Sequence, residues 1–254
     1  MLTLSIIILN YRDVDTTIAC LSSLSELVLS SNEYEVIVVE NGSDDGSGKA
    51  LKEKFHSWGK KFKIIELAEN LGVAGGRNIG LKNVSQSRYT MFLDNDTIVS
   101  KKAIEELIFF MDAHPDVGIA GPCLRSFDGR IQRSFKNFPG IREKFMNVFF
   151  KRDVKDVEID RDIIFPCYVI GACQIFRSEL IDKIGVLDEK IFFGPEDADF
   201  CIRIRKSGLK VAYIPNIDII HHWQRTSRKN PFSATSRRHL FGLLYFYNKW
   251  NRWL

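Results

Sequence analysis

Short, unbroken apolar runs alternate with helically spaced segments through the first two thirds of this chain, and few folds can absorb that pattern. Leu4 to Leu9, Glu35 to Val39, Phe62 to Leu67 and Tyr89 to Leu93 read as strands, with Val117 to Ala120 as a short fifth. Val14 to Leu27, Gly46 to Phe55, Gly75 to Val84 and Lys101 to Met111 read as helices between and after them. A strand that is apolar throughout is buried on both faces, and strands separated by helices pair in parallel. The expected fold class is therefore α/β, with a mostly parallel central sheet flanked by helices.

In open sheets of this kind, ligands sit beyond the carboxyl ends of the strands. The residues just after each apolar run are polar here. Strand one ends in Asn10-Tyr11, strand two in Glu40-Asn41-Gly42-Ser43-Asp44, and strand four in Asp94-Asn95-Asp96. Two carboxylates two residues apart beyond an apolar strand are costly to leave unpaired. A hard divalent cation, Mg²⁺ or Mn²⁺, offsets that cost and takes its remaining oxygens from substrate phosphates. The plain alternative is a solvated loop in which Asp96 caps the next helix.

Three further groups stand out. Asn70 to Asn78, with Gly72, Gly75, Gly76 and Arg77, reads as a glycine-rich turn into a helix; backbone N–H groups and a guanidinium there suit an anion, while the glycines taken alone favour an ordinary tight turn. It is neither a dinucleotide fingerprint, which would follow strand one, nor a P-loop, which would need G-K-[ST]. Glu196, Asp197 and Asp199 open a helix, where the dipole favours acids. Glu196 and Asp199 suit capping or pairing with Arg203, and Asp197 is left as a candidate general base. His221 and His222 close the run Ile217 to Ile220; adjacent residues of a strand face opposite ways, so at most one of them is a metal ligand.

The remainder is less regular. Residues 124–165 carry no firm assignment. Cys167 to Phe176 reads as a strand, Ser178 to Ile184 as a short helix, Glu196 to Lys206 as a helix stopped by Gly208, and the chain from Ser233 as a final helix. With 254 residues and no low-complexity linker, one compact unit is expected. The five cysteines form no C-x-x-C pair, which argues for reduced, buried thiols in a cytoplasmic protein. The N-terminal run lacks a basic flank and a small-residue cleavage site, and no stretch approaches the roughly 18 apolar residues of a membrane span. The net charge of +4 is uneven: after Asp218 there are seven basic residues and no acid, leaving −3 for the rest. Nucleic acid is not an expected partner of that acidic body.

Taken in order, SIIILNYRD, VIVVENGSDDGS, ENLGVAGGRNIG, YTMFLDNDT, the long stretch VIGACQIFRSELIDKIGVLDEKIFFGPEDADFCIRIRKSG and the histidine pair resemble the family-2 glycosyltransferases, in particular their rhamnosyltransferase-like branch. The resemblance covers most of residues 3–227. It implies the GT-A nucleotide-sugar fold over residues 1–232, with a nucleotide-binding half (1–123) and an acceptor-side half (124–232), and an inverting transfer to a saccharide or lipid-linked acceptor in cell-surface polysaccharide synthesis. Tyr11 and Glu40 would contact the base, beside Asn10, Asn41 and Gly75, and Arg77 would lie near the diphosphate. Asp94 and Asp96 match the metal motif, Asp197 the catalytic base, and His221 or His222 a late histidine near the metal. Glu40 stands where the family usually has aspartate. A sugar-phosphate nucleotidyltransferase would need a glycine- and basic-rich loop after strand one, where this chain has Asn10-Tyr11-Arg12-Asp13. A non-catalytic carbohydrate- or lipid-binding protein would not need Asp94, Asp96 and Asp197 together.

The C-terminal segment 233–254 has apolar residues at Leu240, Leu243, Leu244, Tyr247, Trp250 and Leu254, widened by Phe241, Tyr245, Phe246 and Trp253. Arg237, Arg238, Lys249 and Arg252 supply cations without an acid to offset them. Such a helix suits peripheral contact with an anionic inner membrane face; packing on the sheet or on a second copy of the chain, as a homodimer, would bury the same face.

Overall fold

The computed structural model describes residues 1–31, 33–132, 134–136, 162–222 and 234–251. Much of the unassigned stretch 124–165 lies outside those residues, as do Arg225, Arg228, Lys229, Arg252, Trp253 and Leu254.

The alternating pattern builds β1 (Leu2–Asn10), α1 (Val14–Ser30), β2 (Tyr34–Glu40), α2 (Ser47–Phe55), β3 (Phe62–Glu66), α3 (Gly72–Asn83), β4 (Ser87–Asp94) and α4 (Lys101–Ala113). A two-residue strand, β5 (Thr97–Ile98), precedes α4. Then come β6 (Val117–Arg125), β7 (Ile131–Gln132), β8 (Phe135–Lys136), β9 (Tyr168–Val169), β10 (Cys173–Arg177), α5 (Leu180–Ile184), α6 (Glu196–Lys206), β11 (Lys210–His221) and α7 (Ala234–Trp250). The main sheet runs β3-β2-β1-β4-β10-β6-β11-β5, with β7 on the flank of β6.

Strands β1 to β4 pair in parallel, as do β6 and β11. Strand β10 runs against both of its neighbours. The sheet is continuous from the first half of the sequence into the second. Successive side chains leave a strand on opposite faces. Ile6 and Ile8 therefore join Leu21, Leu24, Leu51 and Leu107 of α1, α2 and α4, while Ile7 joins Phe92, Ala74, Leu180 and Phe200 on the side of α3, α5 and α6. Full burial of each such Leu, Ile or Phe contributes about 1.5–3 kcal/mol.

Three expectations need correction. The fifth strand is nine residues long rather than four, because Gly121 and Pro122 continue it beside β11. The run from Cys167 to Phe176 is broken into β9 and β10, with Gly171 and Ala172 between them. The glycine-rich segment is not a turn leading into a helix that starts at Gly75: α3 starts at Gly72, and Gly75 and Gly76 are inside it. Glycine is required there for close packing. A Cβ on Gly72 would meet the Phe192 carbonyl oxygen at 2.3 Å, and one on Gly80 would meet Ile7 at 2.4 Å.

Candidate active site

The topology gathers the polar strand ends at one edge. Strand β4 delivers Asp94 at its last position, and β5 places Thr97 opposite His221 at the end of β11. Asp94, Asp96 and His221 thereby bring one ligand atom each within 4.8 Å of the others. His221 Nε2 lies 3.3 Å from Asp96 Oδ1. The other ring nitrogen is held by Gln132. Its amide Nε2 donates to the His221 carbonyl at 2.8 Å, so its Oε1 accepts from Nδ1–H at 2.7 Å. That fixes Nε2 as the ring atom facing the two carboxylates, the usual way a protein orients a ligating imidazole. His222 turns outward instead, its ring 5.4 Å from that of Phe127. Asp96 does not cap α4, because Ser100 Oγ accepts the Ala103 N–H at 3.1 Å and fills that role.

Two carboxylates and one imidazole fit a Mn²⁺-like or Mg²⁺-like ion, whose remaining positions phosphate oxygens would fill. The electrostatics agree. Burial pushes the Asp94 carboxyl up, Arg77 pulls it down, and the charges of Asp96 and Asp197 raise it again. Burial works against a charged His221 ring, but Asp96 and Asp94 outweigh it and raise its pKa. The cluster carries an excess of negative charge that a cation relieves.

Behind the carboxylates lies a guanidinium. Arg77 is only 2 % exposed and stacks over the Phe92 ring at 4.9 Å. Its Nη2 donates to Asp94 Oδ1 at 2.8 Å and to the Gly171 carbonyl at 2.7 Å. Glu196 Oε1 is 3.9 Å from Nη1. Gly171 also donates its N–H to Asp197 Oδ2 at 3.1 Å. One residue, Gly171, therefore joins the carboxylate of the metal motif, through Arg77, to the candidate base. A Cβ on Gly171 would fall 2.7 Å from Arg77 Nη1, so only glycine lets the guanidinium approach.

Asp197 sits in the first turn of α6, its Oδ1 accepting the Ala198 N–H at 2.7 Å. Burial raises its pKa, while the Ala198 and Gly171 N–H groups and the charges of Lys136 and Arg77 oppose that rise. Glu196 accepts from the Gly194 N–H, and burial together with the charge on Asp197 pushes it up to about 7. Asp199 pairs with Arg203 at 3.0 Å, as the four-residue spacing suggests.

The residues expected at the nucleotide also make contacts within the protein. Asn10 is fully buried and accepts from Thr17 Oγ1 at 2.7 Å. Asn41 binds the 70–72 segment, donating to the Gly72 carbonyl at 3.1 Å and accepting the Leu71 N–H at 3.1 Å. Gly75 packs against Leu71, where a Cβ would come within 2.8 Å of that side chain. Arg77 lies beneath Asp94 rather than on the open face, because its donors are taken by the Asp94 carboxylate and the Gly171 carbonyl. Tyr11 remains open at 42 % exposure. Glu40 accepts from the Ser43 N–H at 3.0 Å and from the Ser43 hydroxyl, which folds the strand-end loop around it. Gln132 and Gly171 went unrecognised in the sequence: each acts through a partner more than 80 residues away.

A profile described as glycosyl transferase family 2 matches residues 5–185. An N-acetylglucosaminyl-diphospho-decaprenol L-rhamnosyltransferase of Mycobacterium tuberculosis is 23% identical, over 92% of this chain and 80% of that one. The dTDP-rhamnosyl transferase RfbF of Shigella flexneri is 26% identical, over 79% and 64%. Among solved structures, GalNAc-T7 with UDP, GalNAc and Mn²⁺ superposes with a TM-score of 0.74 at 15% identity, over 100% of this chain and 50% of that one. The mannosyltransferase PcManGT of Pyrobaculum calidifontis with GDP-Man and Mn²⁺ gives 0.64 at 18% identity, over 98% and 64%. The chain belongs to glycosyl transferase family 2, with that family's GT-A fold, and is a rhamnosyltransferase-like glycosyltransferase.

Proposed function

We propose that this chain moves a sugar, with inversion, from a pyrimidine nucleoside diphosphate to a saccharide or lipid-linked saccharide of a cell-surface polymer. The observation that carries this reading is the convergence of Asp94, Asp96 and His221 with a third, separately held carboxylate, Asp197, around buried Arg77. In the proposed reaction Asp197 takes the proton of the acceptor hydroxyl. The freed oxygen forms a bond to the anomeric carbon as the bond from that carbon to the diphosphate oxygen breaks, and the diphosphate leaves with the electron pair. One displacement inverts the centre and needs one base. Asp94, Asp96 and His221 would hold a divalent ion, which would supply positive charge to offset that building on the departing diphosphate. Arg77 opposes protonation of Asp94 and holds it in place, and Gln132 holds the His221 ring in the tautomer that turns a neutral Nε2 towards the carboxylates.

The donor base is assigned to Tyr11, which is 42% exposed with the Arg12 guanidinium 5.3 Å from its ring centre, and to Glu40, an acceptor for the ring N–H that uracil and thymine carry and adenine lacks. Rhamnose, named in the Mycobacterium and Shigella relatives, is the first sugar to test. Titration calorimetry with Mn²⁺ present is expected to show uridine or thymidine diphosphate binding at least tenfold more tightly than adenosine diphosphate, a difference of about 1.4 kcal/mol. Equal affinities would refute a pyrimidine-shaped site.

The site of action is assigned to an anionic membrane face, contacted by α7. No helix of the described residues is long and apolar enough to cross a membrane. The apolar surface of α7 is divided: Phe246 and Tyr247 pack against the body, while Leu240, Phe241 and Leu244 stay outside at 55%, 68% and 39% exposure, next to exposed Arg237. Lys249 is not an unopposed cation, since it pairs with Asp188 at 2.6 Å and Asp199 at 2.7 Å. Aromatic and aliphatic side chains beside arginine suit the headgroup region. Co-sedimentation with anionic vesicles is expected, weakening with salt and falling several-fold in the Leu240→Ser/Phe241→Ser double variant. A chain that stays in the supernatant at low salt would point to a second copy as the occupant of that face.

A further inference from the structure

Helix α7 lies outside the matched family segment, yet it grips the base-bearing region on both sides of Asp197. Before the base, His239 Nδ1–H donates to the Phe193 carbonyl at 3.0 Å, and the Arg238 guanidinium lies 4.2 Å from the Phe192 ring centre. The helix backbone presses on the same loop: a Cβ on Gly242 would be 3.2 Å from the Gly194 carbonyl oxygen and 3.5 Å from Ile191. After the base, Trp250 Nε1–H donates to Asp199 Oδ1 at 2.9 Å, and Lys249 Nζ reaches the same oxygen at 2.7 Å. Phe246 and Tyr247 bury against Ile191 and Ala198, so Asp197 stands between two anchored flanks.

Asp199 is fully buried and takes its donors from two elements, Arg203 of its own helix and Lys249 with Trp250 of α7. A buried carboxylate is tolerable only while its partners hold it. Asp199 is therefore a rigid peg two residues beyond the base, and α7 sets where the peg sits. The position of Asp197 matters at the ångström level, because proton abstraction needs hydrogen-bond reach to the acceptor hydroxyl.

We propose that α7 is a positioning element for the general base, acting through Asp199 and the Phe193–Gly194 carbonyls, so that contacts made by the outer face of this helix bear on acceptor activation. The assignment rests on Asp197 being the base. Displacement of a catalytic group by about 1 Å costs up to roughly 10²-fold, so the loss should fall on kcat while the nucleotide edge, built from β1, β2 and β4, stays as it is.

The test uses the full chain with Trp250→Phe, which removes one donor and keeps the ring, and with Lys249→Met. Each is expected to lower kcat roughly tenfold or more. The affinity for the nucleoside diphosphate should be unchanged, the acid limb of the kcat/KM profile should move, and Lys249→Arg should restore both. Asp197 is faced by Glu196 on its own helix, Arg77 from α3, Asp94 from β4 and Lys136 from β8, and none of these is altered. Should Lys249→Met fail to fold, Trp250→Phe still decides the matter. An unchanged kcat and acid limb, with only a lower melting temperature, would reduce α7 to a structural prop. An equal loss of nucleotide affinity would also overturn the assignment. If Asp197→Asn itself retains turnover, it is the base reading that fails, and the two failures are separable.

Discussion

Asp197→Asn is expected to lower kcat by about 10²–10⁴-fold, the usual contribution of a general base. Asparagine keeps the shape of the side chain, and its single amide oxygen can accept from one of the two N–H groups, Gly171 and Ala198, that now hold separate carboxylate oxygens. Proton acceptance is removed together with one of those two backbone hydrogen bonds. Donor binding, at the far ends of β1 and β2, should not change. The wild-type pH profile carries the same signature. Asp197 works only when ionised, and burial raises its pKa above the ordinary aspartate value of about 3.9. Turnover is therefore present above that raised value and is lost as the pH falls through it. Steady-state kinetics at saturating donor, measured as nucleoside diphosphate release, read both effects. Near-normal turnover in the variant would leave Asp197 as a helix-terminal acid and nothing more.

Asp96→Ala is expected to cost several kcal/mol of transition-state stabilisation, at least about 10²-fold in turnover. Excess chelator should abolish wild-type activity, and added Mn²⁺ or Mg²⁺ should restore it. The fold should survive the substitution. Asp96 contributes its backbone carbonyl to the His222 N–H at 2.8 Å, which alanine preserves, and its carboxylate pairs with His221 at the open edge of the sheet. Removing one charge from the Asp94–Asp96 pair also relieves repulsion, so without metal the melting temperature should hold or rise. Circular dichroism and a thermal melt separate this outcome from unfolding. Full activity in excess chelator would remove the metal from the mechanism.

Much of this was legible in the residues themselves. The runs Leu4 to Leu9, Glu35 to Val39 and Tyr89 to Leu93 could be little other than buried strands, since a stretch that is apolar on both faces has no stable place at a surface. Helix α6 was read with the bounds it has, because Gly208 stops it and Glu196, Asp197 and Asp199 favour its start. Asp94 and Asp96 were conspicuous because paired carboxylates after an apolar strand demand a partner. The glycines at 72, 75 and 76 misled, since local sequence cannot say whether a missing side chain makes room for a ligand or for a neighbouring element. Here it makes room for Phe192, Leu71 and the Leu9–Asn41 pair.

The pattern of apolar runs and strand-end acids, read along the chain, determined the α/β class, the element order and the residue types offered to the site. Those signals are local, with periods of two or 3.6 residues, and survive in one dimension. Tertiary structure alone decided the pairings across it. The antiparallel insertion of β10 brings Gly171 to Arg77 and Asp197. The short pairing of β5 with β11 chooses His221 over His222. The packing of α7 on Ile191 and Ala198 turns Lys249 towards Asp188 and Asp199. Each choice depends on which distant surfaces meet and on the cost of burying a charge without a partner, and neither is written in the spacing of neighbouring residues.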